Sequence, residues 1–91
     1  MNKKVLIFTP LCCYVEKDYF SAEQRINDLQ KEHRVFIVLD ITHATECDLV
    51  EIGSVWSEFD GVSVSDIEEM YQDLVVYTSD LDEFYYWWYN K

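Results

Sequence analysis

The chain has 91 residues, enough for one domain, and 49% of them are hydrophobic and 16% aromatic. With only two Gly and one Pro, this composition excludes the disorder that a net charge of −11 would otherwise suggest. The three cysteines are an odd number and two are adjacent, which argues against a secreted disulfide framework. We therefore expect one folded acidic domain over residues 1–91, in a reducing cytoplasm.

The first half of the chain predicts a strand, a helix and a strand. Residues 4–9 form an apolar, β-branched run that ends at Pro10, and residues 12–14 follow as a loop. A capping box with Ser21 as N-cap and apolar residues at helical spacing predict a helix over residues 19–32. Residues 35–39 are apolar throughout and predict a buried strand.

The second half is less regular. Residues 49–56 alternate loosely and suggest a third strand, although a helix interrupted by Gly53 fits almost as well. A capping box at Ser65 opens a second helix, whose inner face is predicted to carry Ile67, Met70, Tyr71 and Leu74. Residues 75–77 either finish that helix or begin a short strand. The six aromatic residues at 84–89 favour a strand, with a helix capped near Asp80 as the alternative.

Taken together, these elements predict an α+β domain with the order β-α-β-β-α-β. That order is typical of the ferredoxin-like two-layer sandwich, a four-stranded sheet with two helices on one face.

Charge is distributed very unevenly along the chain. Residues 35–90 contain thirteen Asp and Glu and no Lys or Arg, whereas the first 34 residues carry six Lys and Arg against five acids. Such an excess of negative charge destabilises the compact state, so the fold itself does not require it. A partner with a positive surface would explain the excess, and surfaces of that kind commonly bind nucleic acid. The carboxylates that we predict to stand in for phosphates are Glu58, Asp60, Asp66, Glu68, Glu69, Asp73, Asp80, Asp82 and Glu83. A solvated acidic face with no partner is the simpler alternative.

The aromatic tail predicts self-association. A two-layer domain of this size cannot easily bury six consecutive aromatic residues, and surplus Trp and Tyr are typical of interfaces. We therefore predict a homodimer, the commonest oligomer, with an interface formed by Tyr85, Tyr86, Trp87, Trp88 and Tyr89. A well-filled core with scattered exposed tyrosines is the alternative.

The sequence contains no motif for metal or cofactor chemistry. Cys12, Cys13 and Cys47 form no C-x-x-C pair, and no Gly-rich phosphate loop or serine-nucleophile signature is present. We expect the cysteines to be small buried hydrophobes, and we expect no metal, no cofactor and no enzymatic activity.

The acid-only stretch, the basic start at residues 1–4 and the Tyr/Trp-rich end resemble the small acidic proteins with which bacteriophages disable host DNA-binding enzymes by imitating DNA. Within that class the whole chain is most similar to the Arn family, the anti-restriction-nuclease proteins of T-even bacteriophages. The resemblance implies a dimeric inhibitor that occupies the DNA site of a McrBC-type restriction endonuclease and has a link to the nucleoid protein H-NS. No short motif carries it, so the acidic positions named above come from the charge pattern alone.

Two other functions are compatible with the sequence. The first is an acidic binding module that inhibits one specific basic host protein without imitating DNA, such as an anti-CRISPR or a transcription inhibitor. The second is a small thiol enzyme that uses Cys12 or Cys13.

Overall fold

The computed structural model describes residues 3–45, 63–76 and 80–90, which form an α+β fold. Four antiparallel strands make an open sheet in the order β2-β1-β3-β4. The elements are β1 (Val5–Phe8), β2 (Cys13–Glu16), α1 (Tyr19–Lys31), β3 (Ile37–Asp40), α2 (Val64–Met70), a 3₁₀ turn (Gln72–Leu74), β4 (Val75–Val76) and α3 (Leu81–Asn90). The α+β class is thus confirmed, and of the two alternatives for residues 75–77 the structure shows the short strand at Val75–Val76, whereas residue 77 lies outside the described residues.

The ferredoxin-like order is not confirmed, partly because the predicted loop at residues 12–14 is wrong: Cys13 and Tyr14 belong to strand β2. The buried Thr9 closes the hairpin between β1 and β2: its Oγ1 donates to the Cys12 carbonyl at 2.7 Å and accepts from the Cys12 N–H at 3.0 Å. Both β2 and β3 pair antiparallel with β1, so they run parallel to each other with β1 between them. The predicted strand-helix-strand unit therefore exists, but β2 is its first strand.

The sheet is covered on both faces, so the predicted pair of helices on one face is wrong. Alternate strand residues point to opposite sides. Val5, Ile7 and Val38 pack with α1 and α3, whereas the strand residues between them pack against Ile67 of α2 on the opposite face.

The predicted strand at residues 84–89 is also wrong, because this segment is helix α3. Asp80 supplies the cap, since its Oδ1 accepts from the Glu83 N–H at 2.8 Å. Phe84 and Trp88 lie one turn apart and are both buried, and their rings lie 5.7 and 5.9 Å from that of the buried Tyr19 of α1. Helical spacing brings these two rings onto one face, and the tyrosines remain at the surface.

The helix caps differ from the predicted ones by two or three residues. Asp18 caps α1 in place of Ser21, and its Oδ2 accepts from the Ser21 N–H at 3.1 Å. Ser63 caps α2 in place of Ser65, and the helix ends at Met70, so Ile67 alone is fully buried and Met70 is exposed. The predicted third strand at residues 49–56 lies outside the described residues.

Helix α1 ends in a Schellman motif that imposes a left-handed backbone on His33. The His33 N–H donates to the Gln30 carbonyl at 3.1 Å and the Arg34 N–H donates to the Leu29 carbonyl at 3.0 Å. His33 has φ of 56°, a conformation that glycine adopts without steric cost. His33 is thus a helix-end residue and does not belong to the buried face of α1.

We expect His33→Gly to stabilise the protein by about 0.5–1 kcal/mol, because the relief of the left-handed strain outweighs the added freedom of the unfolded chain. Urea unfolding followed by circular dichroism measures the change. Gln24→Gly, at an exposed position inside the same helix, is the matched control and should destabilise by about 1 kcal/mol. A destabilisation by both substitutions would contradict the assigned strain.

Candidate functional site

Helix α2 carries the first carboxylates of the predicted surface. Its start is fixed by a capping box in which the Asp66 N–H donates to Ser63 Oγ at 3.1 Å and the Ser63 N–H donates to Asp66 Oδ2 at 3.2 Å. Because Ile67 holds the helix against the sheet, Glu68 and Glu69 are left facing solvent. One oxygen of Asp66 is therefore used in the cap, whereas Glu68 and Glu69 have no such structural role.

Asp73 lies outside α2, although the predicted second helix extended to Leu74 and would have placed Asp73 one turn after Glu69. The helix ends at Met70, Tyr71 leaves helical geometry, and Asp73 lies in the 3₁₀ turn just before the edge strand β4. The carboxylate of Asp73 is exposed, but its spacing from Glu69 is set by this turn and not by a helix.

The remaining described carboxylates stand at the start of α3. Asp80, Asp82 and Glu83 are all exposed, and their negative charges are favoured by the positive end of the helix dipole. Helices α2 and α3 pack on opposite faces of the sheet, so the carboxylates stand on both sides of it. We call these seven residues the acidic surface: Asp66, Glu68, Glu69, Asp73, Asp80, Asp82 and Glu83. Glu58 and Asp60 lie outside the described residues.

The basic side chains of the first half of the chain do not neutralise the acidic surface. Among the described residues, Arg25 pairs with Glu16 at 3.5 Å and Arg34 pairs with Glu32 at 3.7 Å, both within residues 3–45. Residues 63–76 and 80–90 contain no Lys or Arg. One basic residue of the first segment approaches the acidic surface, since Lys3 Nζ lies 4.8 Å from the centroid of the Trp87 ring on α3, and the acidic surface therefore keeps most of its net charge.

The predicted dimer interface is divided by helical periodicity. Trp88 is only 7% exposed and belongs to the core of a single chain, and Trp87 is half-buried. Tyr85, Tyr86 and Tyr89 are each more than half exposed. Trp88 is therefore unavailable to a partner, and the tyrosines are available.

Tyr85, Tyr89 and the exposed Phe20, which the sequence did not predict as an interface residue, all contact Tyr19. The rings of Tyr85 and Tyr89 lie 4.7 Å apart, and both contact Tyr19, which also contacts Phe20 at 5.9 Å. Phe20 is 73% exposed. We call Phe20, Tyr85 and Tyr89 the aromatic patch. Phe20 could not be assigned from sequence because it is distant from the tail in the chain, and the packing of α1 on α3 brings its neighbour Tyr19 against Tyr85 and Tyr89.

Cys12 lies in a polar cluster at the β1–β2 turn. Its Sγ is 2.8 Å from Tyr14 Oη and 3.6 Å from Thr9 Oγ1. The Arg25 guanidinium stacks on the Tyr14 ring at 3.9 Å. Burial raises the pKa of Cys12, but the hydrogen bonds with Tyr14 and Thr9 and the charges of two arginines outweigh it, so the pKa falls below its ordinary value.

The neighbouring thiol behaves in the opposite way. Burial raises the pKa of Cys13 to about 11, and the adjacent Cys12 adds to the rise. Both thiols are free and half-buried, so the expectation of fully buried cysteines is not met for this pair. Cys47 lies outside the described residues.

We expect Cys12 to react with iodoacetamide at least about tenfold faster than Cys13 at pH about 8, because the thiolate is the nucleophile. Peptide mapping by mass spectrometry of the native protein, sampled over time, measures both rates. Tyr14→Phe should slow the reaction of Cys12, because it removes the hydroxyl that stabilises the thiolate. Equal rates at the two cysteines would contradict the assigned pKa difference.

The described residues offer no arrangement of three or more His, Cys, Asp or Glu side chains that could hold a metal ion. No helix among them is long and apolar enough to cross a bilayer. Comparisons with protein-family models, curated proteins and solved structures give no match. The acidic surface and the aromatic residues beside it are therefore the features from which a function can be inferred.

Proposed function

We propose that this protein is a non-enzymatic DNA mimic of bacteriophage type, which acts in the bacterial cytoplasm and occupies the DNA-binding site of host proteins. The observation that carries the proposal is the acidic surface, whose seven carboxylates are all exposed in two segments without a single Lys or Arg. The targets that we propose are a restriction endonuclease of the McrBC type and the nucleoid protein H-NS. Such an inhibitor would counter host defence.

The spacing of the carboxylates supports this proposal. Asp66 and Glu69 are separated by a rise of about 4.5 Å along α2. The phosphates of one DNA strand recur every 3.4 Å or so. A DNA-binding protein presents Lys and Arg for such a row, and a rigid helix with outward carboxylates can engage the same side chains. The mutual repulsion of the charges on the acidic surface destabilises the folded state, and a bound basic partner offsets that repulsion.

The aromatic patch supports a homodimer. Exposed aromatic side chains are typical of interface cores, and the exposed rings of Tyr85 and Tyr89 also contact each other. Sedimentation velocity measures the mass in solution, and Phe20→Ser with Tyr89→Ser should convert a dimer to a monomer. A wild-type monomer across the accessible concentration range would contradict the dimer.

A pull-down from bacterial lysate tests the mimicry. The tagged protein is used as bait at salt concentrations of about 0.1 M and roughly 0.5 M, because exposed charge pairs are screened over about 10 Å at the lower value and over less at the higher. Duplex DNA is added as a competitor in a parallel series. We expect several unrelated DNA-binding proteins to be retained at low salt and released by either high salt or DNA.

Retention of a single protein that DNA does not displace would contradict mimicry. That result would favour the second candidate, an acidic module that inhibits one specific basic protein. One observation favours this candidate: beside the acidic surface lies a groove with aromatic walls, a shaped feature that imitation of a phosphate row does not require.

A further inference from the structure

The groove lies between the edge strand β4 and helix α3, and its volume is about 570 Å³. Cavities of this size commonly hold small ligands or single side chains with their flanking backbone. Its walls combine two kinds of surface. Strand β4 and the rings of Tyr86 and Trp87 form the apolar part. The polar part is formed by three carboxylates, those of Asp80, Asp82 and Glu83.

This combination of walls is suited to a cation with a flat apolar face. Aromatic rings attract cations through the negative charge of their faces, and carboxylates neutralise the same cation through charge-assisted hydrogen bonds. The Trp87 ring already accepts one cation within the fold, since Lys3 Nζ lies 4.8 Å from its centroid. The single charge of Lys3 is smaller than that of the three carboxylates in the groove wall, so the groove keeps a net negative charge that attracts a positive group.

We propose that the groove binds an arginine side chain of the basic protein that the acidic surface engages. The inference deepens the proposed function and depends on it for the identity of the partner. Arginine is favoured over lysine because its planar guanidinium can stack on a ring and bind a carboxylate with two N–H groups at once. Arginine side chains are also abundant on surfaces that bind DNA.

Asp82 and Tyr86 are the residues that distinguish an arginine site from general electrostatic attraction. Asp80 has one oxygen engaged by the Glu83 N–H at the start of α3, so part of its role is structural. Asp82 has no such bond to a described residue and is exposed. Tyr86 is 57% exposed and supplies an uncharged wall, which charge alone cannot replace.

Titration with blocked tripeptides tests the proposal directly. The probes are acetyl-Gly-Arg-Gly-amide, its lysine counterpart and its neutral citrulline counterpart, and the readout is the amide and indole N–H spectrum of ¹⁵N-labelled protein. We expect saturable shifts at β4, Tyr86 and Trp87 with the arginine peptide, and a millimolar Kd. The lysine peptide should bind at least about threefold more weakly, and the citrulline peptide should cause no saturable shift.

Matched variants make the result specific. Tyr86→Leu should weaken binding of the arginine peptide at least about threefold, whereas Tyr85→Leu, which changes a similarly exposed neighbour outside the groove, should not. Asp82→Asn should weaken binding, and Asp73→Asn, which removes the same charge elsewhere on the acidic surface, should have less effect. Equal shifts across the whole acidic surface with arginine and lysine peptides, or equal losses in each matched pair, would overturn the proposal.

The two proposals fail in different measurements. Peptide binding at the groove without competition by duplex DNA in the pull-down would retain the arginine site and reject the mimicry. Competition by DNA that is unaffected by Tyr86→Leu, together with no saturable peptide binding, would retain the mimicry and reject the arginine site.

Discussion

Replacing Phe84 with alanine is expected to reduce the free energy of unfolding by about 3–5 kcal/mol, the cost of a large cavity in a core. Phe84 is completely buried, and its ring lies 5.7 Å from that of Tyr19 and 5.7 Å from that of Trp88. It therefore joins α3 to α1 at the centre of the aromatic cluster. Domains of this size have roughly 5–15 kcal/mol of stability in total, so the loss is a large fraction of it.

Urea and thermal unfolding, followed by circular dichroism and by Trp fluorescence, measure this loss. Phe20→Ala is the matched control because it removes the same ring from a position that is 73% exposed in the single chain, and at concentrations where the protein is monomeric it should cost less than about 1 kcal/mol. Similar costs for the two substitutions would contradict the packing of α3 described above. If the Phe84→Ala protein still folds, helix α3 should pack less tightly on α1, and Asp82 and Glu83 at its start should become more mobile.

Charge reversal on the acidic surface is expected to weaken binding of a DNA-binding partner by roughly tenfold to a hundredfold at low salt. The variant is Glu69→Lys with Asp73→Lys, and each reversal replaces an attraction of about 0.5 kcal/mol between exposed charges with a repulsion of similar size, so the two together cost about 2 kcal/mol. Because both side chains are exposed, the fold should be unchanged. Competition against labelled duplex DNA on a purified DNA-binding protein, repeated at several salt concentrations, measures the affinity.

The control for this variant carries the same change in net charge at a different place. Asp28→Lys with Glu32→Lys alters two exposed acids of the first segment, where acidic and basic residues nearly balance. We expect the control to lose much less affinity than the Glu69 and Asp73 variant. Equal losses would show that net charge alone drives binding, and unchanged affinity in both would contradict the proposed surface.

The strands β1 and β3 and the helices α1 and α2 could be predicted from the sequence because their signals are local. Apolar β-branched runs favour strands, and a cap followed by apolar residues at helical spacing favours a helix. The predicted N-caps lie two or three residues after the observed ones, because Asp18 and Ser63 are each followed by a second residue that can also cap a helix. Local signals of equal strength leave such choices open.

Strand β2 could not be predicted because its stability comes from its partner. None of its four residues is fully buried, so they form a strand only when β1 supplies the hydrogen bonds. The strand predicted at residues 84–89 was wrong for a related reason. Six consecutive aromatic residues have strand propensity, but Phe84 and Trp88 gain more by packing together on α1 as a helix.

The sequence by itself determined that this protein is acidic, aromatic-rich and unevenly charged, since these properties depend only on which residues are present and in what order. Only the tertiary structure decided which of them can meet a partner. It buried Trp88 and brought Tyr19 against Tyr85 and Tyr89, because side chains distant in sequence become neighbours when α1 and α3 pack. It also placed the described carboxylates on both sides of the sheet, with a groove beside three of them, because burial of the apolar faces of α2 and α3 turns their charged faces outward.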